Sequence, residues 1–148
     1  MRRPLHAELE SALGAVVEDM RQASGQLADI LEAERAALAA ADPAGLDRAG
    51  ERKQQLMQQL EQLDAERVQL SQVDPSAAYQ LDSVWQQVLG TLRACRDINQ
   101  RNGILVNQRL GQVRKALAVL AGQSGEAGAY GPSGELHPAL RSHNLAQA

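Results

Sequence analysis

The side chains able to do chemistry are few: His6, His137 and His143, the single cysteine Cys95, and carboxylates dispersed along 148 residues. All three histidines fall in expected termini, and His137 and His143 stand six apart, a spacing that suits no common metal site. Cys95 lies on an apolar helix seam, which marks an inert buried thiol rather than a nucleophile. A lone cysteine excludes an internal disulfide and fits a reducing compartment. No glycine-rich loop follows a strand, no Ser/His/Asp or Cys/His context occurs, and no pair of carboxylates is set for acid–base work. The expectation is a protein without catalysis, metal or cofactor, placed in the cytoplasm, whose business is binding other proteins.

The polar residues that call for explanation sit on helix seams instead. Glu34, Lys53, Arg67, Asn99 and Asn102 occupy positions where the surrounding spacing demands apolar side chains. Three amphipathic helices must carry them. Leu9, Leu13, Val16, Met20, Ala23, Leu27 and Ile30 recur at steps of three and four, which predicts a first helix over about 5–41, some 55 Å long. "ADPAG" ends it, with Asp42 to cap and Pro43 to open the next helix. A second helix over 43–73 has the cleanest heptad: Leu46, Ala49, Lys53, Leu56, Leu60, Leu63, Arg67, Leu70. Asp74-Pro75 breaks it, and a third helix runs over about 76–121. Residues 122–135 are a glycine-rich flexible linker, followed by a C-terminal segment with Leu136 and Leu140 on one side.

Short connections force neighbours to run back along each other, so the chain predicts an all-α, antiparallel three-helix bundle of long coiled-coil-like helices. Aromatics make up only 2% of the chain, which fits helix-on-helix packing better than a ligand-holding α/β fold. The net charge of −3 makes no case for nucleic acid or an anionic membrane, and no stretch is apolar for long enough to span a bilayer. Residues 93–115 are locally basic, a charge that pairing with the acidic first helix accounts for more simply than RNA.

Folding the helices back at the two turns puts Glu34 within a turn of Lys53, and Lys53 near Asn99, with Asn102 one turn along. These four read as one structural polar layer that fixes register. Arg67 falls at the level of Glu18 and Asp19. The alternative for Lys53 and Arg67 is to snorkel out at the seam edge. Gly103 reads as a place where a neighbouring backbone approaches or the helix bends. By the same register the third helix overhangs its neighbours by three or four turns. There Leu105, Val106, Leu110, Val113, Leu117 and Leu120 form an apolar strip with Arg109, Arg114 and Lys115 around it. Such a strip binds a partner, closes a homodimer, or is covered by the chain's own tail.

"NQRNGILVNQR" in the third helix, a lysine in the second (Lys53) and a later Tyr-Gly-x-x-Gly (Tyr130, Gly131, Gly134) carry a resemblance. In this order, in an all-helical chain of this length, they resemble the FlgN-like flagellar type III export chaperones. That resemblance implies a cytosolic chaperone whose cargo is the hook–filament junction, or hook-associated, proteins. It implies that the third helix and the C-terminal segment, with Leu136 and Leu140, grip a terminal amphipathic helix of the cargo without ATP. It also implies that Tyr130, Gly131 and Gly134 are presented to an export gate component at the membrane, with no insertion into the membrane itself. The residues leave a second placement open for Tyr130, packed back on the bundle.

Overall fold

A computed structural model describes residues 2–123, and the described part is helical almost throughout. Four helices follow one another: α1 (Arg2–Ala40), α2 (Pro43–Val73), α3 (Pro75–Gln80) and α4 (Asp82–Gln123). The chain divides into two compact units, Met1–Ile98 and Asn99–Ala148, and α4 runs from the first into the second.

In the first unit α1 buries Leu13, Val16, Met20, Ala23, Leu27, Leu31, Glu34 and Leu38, again at steps of three and four. α2 contributes Ala49, Lys53, Leu56 and Leu60, and α4 contributes Val88 and Cys95, two turns apart. Apart from Leu38 and Ala49, these apolar residues form one continuous core with Ala77 of α3, and Leu63, Leu70, Trp85 and Leu92 pack against it half-buried. Leu13, Leu31 and Leu56 are almost wholly buried, and each such side chain supplies about 1.5–3 kcal/mol by leaving water. The contacts fix the topology. Only two residues separate α1 from α2, and Lys53 meets Glu34 at 2.9 Å across that connection, so α1 and α2 are antiparallel.

The α1–α2 connection is a Schellman motif. The Asp42 N–H bonds to the Ala37 carbonyl at 2.9 Å and the Ala41 N–H to Leu38 at 3.4 Å. Ala41 sits at φ 51°, the left-handed position that glycine normally fills. Asp42 then caps α2 by accepting from the Gly45 N–H at 3.0 Å, as its place before Pro43 predicts. A side chain at residue 45 would overlap the Asp42 carboxylate, which would have to shift and disturb this cap.

Asp74 joins three helix ends. Its N–H closes α2 on the Leu70 carbonyl at 3.0 Å, and its Oδ1 caps α3 by accepting from Ser76 N and Ala77 N, each at 3.2 Å. Its Oδ2 accepts from His6 Nδ1 of α1. The Ser76 hydroxyl and the His6 ring hold the Asp74 carboxyl below the usual carboxylate range.

Two expectations are corrected. The third predicted helix is broken at Leu81, whose φ of −95° and ψ of 5° interrupt it between α3 and α4. The Leu81 N–H turns back to Ala78 at 3.2 Å while its carbonyl accepts from Trp85 N at 3.0 Å, opening α4. No glycine or proline marks the place. Arg67, expected opposite Glu18 and Asp19, instead lies over the Trp85 ring, 3.9 Å from its centroid, and pairs with Asp64 at 2.9 Å. Both its partners are nearer than the α1 carboxylates, and Glu18 is already held by Arg21 at 2.6 Å.

Candidate binding surface on the last helix

The second unit's described portion is the distal part of α4. Here Val106, Leu110, Val113, Leu117 and Leu120 repeat at steps of 4, 3, 4 and 3, the spacing of a coiled-coil seam. Seams of this kind are normally covered. Val113, Leu117 and Leu120 are instead 55%, 56% and 62% exposed. Ile104 and Val119 are exposed as well, off the seam, while Leu105, Val106 and Leu110 are half-buried.

Residues 99–123 hold Arg101, Arg109, Arg114 and Lys115 and no acidic residue. All four cations are exposed, and none makes an ion pair with a described carboxylate. From the sequence, the basic charge of residues 93–115 is expected to pair with the acidic first helix. Among the described ion pairs, the α1 carboxylates Glu10, Glu18 and Glu32 meet His6, Arg21 and Arg35 within α1, and Glu34 meets Lys53 of α2.

Of the expected polar layer, the structure brings Glu34 and Lys53 together as an ion pair at 2.9 Å, with side chains 9% and 7% exposed. Snorkelling of Lys53 is thereby set aside. Asn99 and Asn102 belong to the second unit, the first half-buried and the second buried. Gly103 does not serve a close approach: a Cβ there would meet nothing within 4 Å, and α4 continues through it. Leu136, Leu140, Tyr130, Gly131 and Gly134 lie outside the described residues.

Conventional active-site features are not found among the described residues. No group of three or more His, Cys, Asp or Glu could hold a metal ion. Burial pushes the Cys95 thiol up, away from a reactive thiolate, and its Sγ donates to the Ser24 carbonyl at 3.7 Å. One feature escaped the sequence reading, an open cleft of about 470 Å³ where α1 meets α2, walled by Ile30, Ala33, Ala37, Ala40 and Arg48. Its signal was the run of alanines in "ERAALAA", whose short side chains leave a trough. No helix is long and apolar enough to cross a membrane among the described residues.

A family model described as FlgN protein matches residues 5–138, nearly the whole chain. No curated protein and no solved structure gives a match.

Proposed function

The chain belongs to the FlgN family of flagellar export chaperones, and on that premise we propose that it holds hook–filament junction proteins in the cytoplasm until their secretion. The grip is a terminal amphipathic helix of the cargo laid along Leu105, Val106, Leu110, Val113, Leu117 and Leu120. Exposure of Val113, Leu117 and Leu120 on a seam of coiled-coil spacing is the observation that carries this reading. An apolar stripe in water is costly to leave bare, and a helix with matching spacing covers it turn by turn. Covering the cargo's assembly helix keeps it from polymerising early, and release needs no ATP because binding is reversible and moderate.

Leu136 and Leu140 close over the cargo helix from the C-terminal segment. Tyr130, Gly131 and Gly134 are the contact offered to the export gate.

The test is a titration of the full chain with purified C-terminal segments of junction proteins. Val113→Glu/Leu117→Glu is expected to weaken binding at least a hundredfold with helicity by circular dichroism unchanged, since charge in an apolar contact costs several kcal/mol. Unaltered binding by that variant refutes the reading. Removing residues 122–148 tests the tail separately: unimpaired cargo binding by the truncated chain rejects the clamp but keeps the strip.

A further inference from the structure

The exposed seam of α4 has a charge rule built into its borders. Written as a heptad, Val106, Val113 and Leu120 take position d and Leu110 and Leu117 position a. Arg109 then falls at g and Arg114 at e, roughly 60° to one side of the seam axis and roughly 80° to the other. The other two cations, Arg101 and Lys115, lie on the far side of the helix at f positions. The e and g residues next along, Asn102, Asn107, Ala116 and Ala121, are uncharged. Both borders of the strip are therefore either cationic or neutral, and neither arginine has a described carboxylate for a partner.

We infer that this strip selects a partner helix bearing Asp or Glu at the positions flanking its own apolar face, an acidic amphipathic helix. The inference rests on the strip being the cargo-docking surface and adds the chemistry of what docks. Elsewhere in the described chain cations close to carboxylates pair with them within one turn, as Arg21 does with Glu18 and Arg35 with Glu32. On the seam of α4 no described carboxylate supplies the compensating charge.

The same positions argue against a second copy of this chain. In a parallel pair the g residue meets the e residue five positions on in the partner helix, so Arg109 of each copy would face Arg114 of the other, twice by symmetry. In an antiparallel pair g meets g and e meets e, which again sets arginine against arginine. Like charges across a seam reject a partner as surely as opposite charges accept one. Nucleic acid fits less well, because residues 99–123 hold no aromatic side chain on which bases would stack.

Two synthetic helical peptides test the rule, identical in their Leu/Val seam and differing only in Glu or Lys at e and g. Each carries a fluorophore and is titrated with the full chain at low and high salt. The Glu peptide is expected to bind about tenfold tighter than the Lys peptide at low salt, with the gap narrowing at high salt as the charges are screened. Arg109→Gln/Arg114→Gln should bring the two peptides within about twofold, and Arg109→Glu/Arg114→Glu should invert the preference. A merely structural role for the arginines would not reverse selectivity.

Equal binding of both peptides, abolished by Val113→Glu/Leu117→Glu, overturns the charge rule and leaves the docking surface standing. If neither these peptides nor junction-protein segments respond to Val113→Glu/Leu117→Glu, the docking surface itself is wrong and the charge rule falls with it. A concentration-dependent dimer in sedimentation that Leu117→Glu dissolves assigns the seam to a second copy and overturns the inference. Displacement of the Glu peptide by an oligouridylate does the same in favour of RNA.

Discussion

Replacing Lys53 with methionine should cost far more than replacing the whole ion pair. Lys53 Nζ lies 2.9 Å from Glu34 Oε2, and the two side chains are 7% and 9% exposed. At an effective dielectric of 20, charges at that separation attract by about 6 kcal/mol. Taking each ion out of water costs several kcal/mol, so the pair as a whole comes close to breaking even. Lys53→Met removes the attraction and leaves Glu34 with its desolvation cost, a predicted loss of about 3–5 kcal/mol. Glu34→Leu/Lys53→Met removes both terms, and its stability should fall within about 1 kcal/mol of the parent, or exceed it.

Urea denaturation followed by circular dichroism and by the fluorescence of the single tryptophan, Trp85, measures all four members of the cycle. At about 2 kcal/mol per molar urea, the single variant's midpoint should fall by roughly 1.5–2.5 M. The double variant's should barely move. The reasoning is refuted if Lys53→Met costs under about 1 kcal/mol, which would mean that the pair is effectively solvated. It is equally refuted if the double variant loses the sum of the two singles, for then the groups do not couple.

Ala41→Gly, at the left-handed end of α1, should stabilise by about 0.5–1 kcal/mol and raise Tm by a few degrees in a thermal scan. Gly103→Ala, which meets open space inside α4, should gain roughly 0.5–1 kcal/mol in the same measurement. Gly45→Ala should forgo any such gain, because its Cβ displaces the Asp42 cap. Asp74, whose carboxyl is held below its usual range, adds stability that is fully present above the unfolded value near pH 4. That contribution disappears as pH falls through the lower folded value. The urea midpoint should therefore drop as pH falls below about 4, and Asp74→Asn should flatten that dependence. Cys95, buried and raised, should react with Ellman's reagent slowly in the folded chain and rapidly in urea.

What was legible in the sequence is what periodicity can encode. Steps of three and four named the α1 and α2 seams, and folding at the turn between them brought Glu34 to Lys53 because antiparallel register is arithmetic. Contacts made sideways escaped that arithmetic. Arg67 has the length to leave its level and lie over Trp85, and spacing says nothing of where a long side chain ends. The break at Leu81 uses an ordinary residue that closes α3 through its own N–H, so no glycine or proline announced it. Ala41 hid its left-handed conformation because alanine is the residue that usually continues a helix. Of the candidate surface, the apolar strip was readable from spacing. Its charge balance was not, since spacing does not disclose that Arg109 and Arg114 make no ion pair with a described carboxylate.

The bond between His6 and Asp74 ties the start of α1 to a residue 68 positions later. During synthesis the first turns of α1 leave the ribosome long before their anchor does. At about 5–20 residues per second, the gap is roughly 3–14 s. For that interval the N-terminal turns of the nascent chain lack this anchor. Their stretch of the bundle is finished only when the α2–α3 junction arrives, so the end made first is among the last parts of the first unit to be fastened.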